Sequence, residues 1–123
     1  MESQKKRVLI FEDNPSLQAL IRVYFQKRGF EAVILGDAVE AVTAAADHKP
    51  ALIVMDLIMP GKSGLEACDE LRKAGVRTPI IMLTSKDYAD DKKRALEAGA
   101  NVYLTKPLNP RELDAAIAPL LGA

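Results

Sequence analysis

Short apolar runs alternate along this chain with longer stretches whose apolar residues recur at helical spacing. The runs are Val8–Phe11, Ala32–Leu35, Leu52–Met55, Ile80–Leu83 and Val102–Leu104. Several are continuously apolar, as strands are when helices cover both faces of a parallel sheet. Strict strand–helix alternation predicts an α/β fold built around such a sheet.

The intervening stretches carry their own start and stop signals. Asn14 and Pro15 open a first helix, whose Leu17, Leu20, Ile21, Tyr24 and Phe25 share a face until Gly29 stops it. A second is expected to begin with Asp37 and Glu40 in capping-box spacing. It would carry Ala38, Ala41, Val42, Ala45 and Ala46 on one face and end before Pro50. A third, from Gly64 to Ala74, ends at Gly75, and a fourth, from Tyr88 to Ala98, ends at Gly99. The opening of the fourth, Lys86 to Arg94, is almost entirely polar, which predicts shallow burial and mobility. A fifth starts at Asn109 and Pro110 and offers Leu113, Ala116, Ile117 and Leu120, with Pro119 expected to end or kink it.

Composition narrows the function classes. The 123 residues, 49% of them apolar, suffice for one domain with one sizeable core, expected over 1–123 with its core at about 7–121. Seventeen basic residues balance 17 acidic ones, so no overall field favours nucleic acid or an anionic membrane. Neither a signal-peptide pattern nor an apolar run long enough to span a bilayer is present, and a cytoplasmic location is expected. The lone Cys68 reads as a packing residue in a reducing compartment. Three Phe, three Tyr and no Trp supply few base-stacking platforms.

In open parallel sheets the functional crevice lies beyond the carboxyl ends of the strands. Here those ends carry Glu12 and Asp13, Asp56, Thr84 and Ser85, and Thr105, Lys106 and Pro107. Three carboxylates held close together repel unless a hard dication sits among them, and magnesium takes oxygen ligands of this kind. A carboxylate can attack phosphorus to give an aspartyl phosphate. Lys106 would bring a positive charge to phosphoryl oxygens, and Thr84 a hydroxyl. Taken singly, each residue has a blander reading: a solvated helix start, a turn, a cap, a surface lysine before proline. Their shared placement at one end of successive strands favours the chemistry.

With these residues the chain resembles the receiver domain of bacterial two-component response regulators, from Val8 onward. The resemblance rests on Phe11-Glu12-Asp13-Asn14, the segment Met55 to Gly64, the Thr84-Ser85 step and Lys106-Pro107. It implies a flavodoxin-like (βα)5 doubly wound sandwich, its five-stranded parallel sheet ordered 2-1-3-4-5 with helices on both faces. It implies that Asp56 is the phosphoacceptor. Magnesium, or manganese as a substitute, would be held by Asp13, Asp56 and the main-chain carbonyl of Ile58, with Glu12 acting mainly through a water. Lys106 would contact the phosphoryl group, and the Lys106–Pro107 peptide would be cis.

Thr84 and the aromatic Tyr103 would form the switch; Tyr103 also has a plainer reading as a half-buried strand residue. The readout surface would be the fourth helix, fifth strand and fifth helix, its partner-specific charges coming from Lys86, Asp87, Asp90, Asp91, Lys92, Lys93 and Arg94. Ile58 would place an apolar side chain near the attacking water and slow hydrolysis. The implied partners are a histidine kinase or phosphotransfer protein and a downstream protein target. No direct binding of nucleic acid or membrane is expected, and the chain would be a monomer or a weak phosphorylation-dependent dimer. It would act as a regulatory phosphoacceptor that assists its own phosphorylation and dephosphorylation, rather than as an enzyme.

Three other readings share the topology. An aspartate-nucleophile phosphatase needs a second aspartate two residues after the first, where this chain has Ile58. A flavin-binding protein needs a hydroxyl- and glycine-rich phosphate cradle, where Glu12 and Asp13 stand. A degenerate receiver would bind a partner without phosphorylation, against which stand the five intact key positions. The sequence carries no DNA-binding domain, so it is either a stand-alone regulator, which the coherent start and Gly122-Ala123 finish favour, or the receiver part of a longer chain.

Overall fold

The computed structural model describes residues 6–85 and 89–122. The expected helix start at Tyr88 and the charges of Lys86 and Asp87 lie outside these residues. Among them, strands and helices alternate as β1 (Lys6–Phe11), α1 (Pro15–Gln26), β2 (Phe30–Leu35), α2 (Ala41–His48), β3 (Leu52–Met55), α3 (Gly64–Lys73), β4 (Ile80–Thr84), α4 (Ala89–Glu97), β5 (Val102–Thr105) and α5 (Pro110–Leu120). All four strand pairings are parallel, in the order β2-β1-β3-β4-β5, as the family resemblance implied.

Side-chain alternation along each strand divides the core in two. Val8, Ile10, Leu52, Val54, Ile81 and Leu83 point toward α1 and α5, where they meet Ile21, Tyr24, Phe25, Leu113 and Ile117. Leu9, Phe11, Ile53, Met55, Ile80 and Met82 point the other way, against Ala41, Ala44, Ala45, Ala67, Cys68, Leu71 and Ala95. Cys68 is fully buried there, its thiol 3.4 Å from the Ala98 carbonyl, so it packs as expected. No helix among the described residues is long and apolar enough to cross a membrane.

Local chemistry sets most helix ends. Asn14 accepts from the Leu17 amide at 3.1 Å, and Asn109 from the amides of Arg111 and Glu112. Ser63 and Glu66 form a reciprocal capping box that opens α3.

Three expectations need correction. The Asp37–Glu40 capping box does not form: Asp37 accepts instead from the Val39 amide at 3.0 Å, an Asx turn, and α2 begins at Ala41. The fully buried Ala38 lies before the helix rather than on its face, and the buried face of α2 is Ala41, Ala44 and Ala45, with Ala46 exposed. Leu20 is 59% exposed, because Ile21, Tyr24 and Phe25 already fill the sheet-facing stripe of α1. Pro119 does mark the end of α5, which stops one residue beyond it. It sits in the last turn, where the helix runs on to Leu120 and the Leu121 amide still reaches the Ile117 carbonyl.

Candidate functional site

Each strand that ends in a chemically active residue delivers it to one rim. β1 carries the chain straight into Glu12, whose amide still bonds to the Leu35 carbonyl at 3.0 Å. The Asp56 amide donates to the Phe11 carbonyl at 3.1 Å, so β1 and β3 fix the two carboxylates side by side. Lys106 follows β5, its amide donating to the Thr84 carbonyl at 2.6 Å, and the Lys106–Pro107 peptide is cis.

The ammonium of Lys106 is 2.9 Å from Glu12 Oε1 and 2.8 Å from Asp56 Oδ2. The remaining oxygens are also claimed: Glu12 Oε2 accepts from the Asn14 amide and Asp56 Oδ1 from the Ile58 amide. Glu12 and Asp56 are buried, whereas Asp13 is exposed. Ligand atoms of Glu12, Asp13 and Asp56 lie within 4.8 Å of one another. Burial pushes the Glu12 carboxyl above its ordinary value, against the lowering pull of the Asn14 amide and of Lys106. For Lys106, burial alone would lower the ammonium's pKa, but its bonds to Asp56 and Glu12 outweigh that and hold it above the usual value.

Three carboxylates against one ammonium leave an excess of negative charge that a dication would offset. The donors are hard oxygens on a half-open rim, which fits magnesium with water completing its shell.

Glycine is required at one point of this rim. A Cβ on Gly64 would collide with the Asp56 carbonyl, and the Gly64 amide donates to the Leu57 carbonyl at 2.8 Å. The start of α3 is therefore docked on the backbone of Asp56 itself.

Glu12, Asp13, Asp56 and Lys106 thus come together as their sequence positions implied. Thr84 is fully buried at the end of β4. It shares its sheet face with Tyr103, which pairs with Met82 in register and is 9% exposed within the α2–α3–α4 layer. The Ile58 side chain is 52% exposed. Two partners escaped the sequence reading. Gln18 donates to the Glu12 carbonyl at 2.6 Å from inside α1. Arg72 bonds the carbonyls of Val76, Thr78 and Gly99 at the opposite end of the sheet. A polar residue in an otherwise amphipathic helix gave no signal for either.

The sequence profile of the response regulator receiver domain matches residues 8–118. The alkaline phosphatase synthesis transcriptional regulatory protein PhoP of Bacillus subtilis is 38% identical over 116 residues, 94% of this chain and 48% of that protein. The chain spans about half the length of the curated relatives it matches. Among solved structures, the beryllofluoride-activated N-terminal receiver domain of Klebsiella pneumoniae RstA superposes with a TM-score of 0.89 at 31% identity, covering 96% of this chain and 100% of that one. The receiver domain of the sensor histidine kinase PA1611 of Pseudomonas aeruginosa, solved with magnesium coordinated in its active-site cleft, gives 0.87 at 32% identity, covering 98% and 100%.

Proposed function

This chain belongs to the response regulator receiver domain family, and from that premise we propose that it is a phosphorylation-dependent signalling switch whose phosphoacceptor is Asp56. The observation that carries the reading is Lys106, held by Asp56 and Glu12 together at the mouth of a three-carboxylate cleft.

Asp13, Asp56 and the Ile58 main-chain carbonyl would hold magnesium, with Glu12 acting through a water. Manganese would substitute. When bound, the cation would supply charge neutralisation for incoming phosphoryl oxygens. The chain's own groups do the rest. The Ile58 amide and Lys106 fix the Asp56 carboxylate, so one oxygen is presented to phosphorus with little reorganisation. An Asp56 oxygen bonds to phosphorus as the bond from phosphorus to the donor breaks, and the electron pair leaves with the donor. Lys106 then offsets the charge gained on the phosphoryl oxygens. The source is a histidine kinase, a phosphotransfer protein or a small phosphodonor.

Phosphoryl oxygens on Asp56 would recruit the Thr84 hydroxyl, and Tyr103, on the same sheet face, would turn toward the space so released. The surface of α4, β5 and α5 would carry the change to a partner. Lys92, Lys93, Arg94 and Glu97 are exposed there.

Intact mass after incubation with acetyl phosphate and magnesium tests the site. One phosphoryl group is expected on the wild type and none on Asp56→Asn, while Lys106→Ala is expected to be labelled without the conformational change. Persistent labelling of Asp56→Asn would move the acceptor elsewhere. Ile58→Asn should lose its phosphoryl group faster than the wild type, because a polar side chain at this exposed position can order the attacking water; an unchanged lifetime would contradict that role.

A further inference from the structure

The exposed Asp13 side chain faces Asp56 across the rim. Burial does not hold it, so its direction must come from the backbone that bears it. On its amino side that backbone is fixed by the sheet, through the bond from the Glu12 amide to Leu35. On the other side the strand has ended, and the Glu12 carbonyl has left the ladder. That carbonyl accepts from Gln18 Nε2 at 2.6 Å.

The Glu12 carbonyl and the Asp13 amide belong to one rigid peptide plane. A bond to the oxygen therefore sets the orientation from which the Asp13 side chain departs. Gln18 is well placed to impose it. Its own amide donates to the Asn14 carbonyl at 2.9 Å, so it sits in the first turns of a capped helix, and its side chain is half-buried. A helix anchored on the sheet by Ile21, Tyr24 and Phe25 thus reaches back six residues to the turn between the two acids.

We infer that Gln18 is a positioning residue for the cation site, orienting the Glu12–Asp13 peptide so that both carboxylates face Asp56. The inference rests on the reading of this cleft as a cation-assisted phosphoacceptor. Gln18 touches neither the cation nor the phosphoryl group; it acts through the peptide it holds. Partners that orient metal ligands in this way typically change affinity about 10- to 100-fold when removed.

Gln18→Met keeps the side-chain length and removes the donor; Gln18→Asn keeps the donor and withdraws it by one methylene. In both, calorimetric titration with magnesium alone should give a dissociation constant about tenfold or more above that of the wild type. The magnesium needed for half-maximal labelling by acetyl phosphate should rise by the same factor, while the labelling rate at saturating magnesium recovers. Without metal, the Asp13 and Asn14 amides should exchange faster, and the melting temperature should stay within about 2 °C of the wild type.

An unchanged dissociation constant would overturn the inference. So would a fall in metal-free melting temperature with magnesium affinity intact, the mark of a purely structural bond. A wild type that neither binds magnesium nor is labelled would instead remove the phosphoacceptor reading, and this inference with it.

Discussion

The layer of α1 and α5 and the layer of α2, α3 and α4 cover the same sheet by different means. On the first side, the rings of Tyr24 and Phe25, and of Phe25 and Phe30, meet edge-to-face with centroids 4.9 and 5.3 Å apart. The Tyr24 hydroxyl donates to Asp114 at 2.6 Å, and the Arg28 guanidinium lies 3.7 Å over the Tyr24 ring while pairing with Asp114 through two nitrogens. Rings, a cation–π contact and a forked ion pair lock α1 to α5. On the second side the helices bury mostly alanines, and in α4 the fully buried described side chain is Ala95, with Leu96 42% exposed. Stabilisation follows the apolar area removed from water, so α4 is held weakly. The firmly held layer bears the loop that positions Glu12 and Asp13, whereas the loosely held one lies against Thr84 and Tyr103. The proposed switch would draw on both: a site that keeps its shape and a surface that gives way.

Phe25→Ala should break the firm side outright, with a loss of about 3–5 kcal/mol measured by chemical denaturation. Ala95→Gly should loosen α4 by about 1–2 kcal/mol, the sum of a helix-interior glycine and a lost methyl contact. Leu96→Ala, on the outer face of the same helix, should stay within about 0.5 kcal/mol. Equal losses for Phe25→Ala and Ala95→Gly would erase the distinction between the layers.

The smallest effect concerns pH. The Arg28 hydrogen bond, and after it that of Tyr24, hold the Asp114 carboxyl below its ordinary 3.8. A depressed folded value stabilises the fold above the unfolded value, and the gain disappears as pH falls through the folded one. The stability gap between wild type and Asp114→Asn should therefore be full at neutral pH and close in the acid range below about 4. A gap that persists in acid would show that the carboxylate charge is not what ties the layer.

The strands were legible because each is a nearly unbroken apolar run, which has few alternatives in a chain of this length. Helix faces were less so where residues contrast little. Ala41, Ala44, Ala45 and Ala46 read almost alike in sequence, and only their placement against the sheet selects the first three. Leu20 shows the converse: its hydrophobicity argued for burial, but it lines an open cleft of about 500 Å³ with Val23, Pro107 and Leu108. In the candidate site, the charged and nucleophilic groups announced themselves by position after each strand. What could not be read was the scaffolding between them, since Gln18 and Arg72 act through carbonyls that every residue possesses. The grip of Lys106 on Glu12 as well as Asp56 was also beyond sequence, because it depends on how closely β1 and β3 approach β5 at one rim.

That grip joins residues 94 and 50 positions apart in the chain. Parallel strands offer no hairpin by which the early part could close on itself, so Asp56 waits for its cation partner until nearly the whole domain has been synthesised. A nascent chain or fragment ending before residue 106 would carry Asp56 without its lysine. The proposed coupling of phosphorylation to a change of shape, which needs Lys106, would in this sense be a certificate of completed synthesis, issued by the last strand.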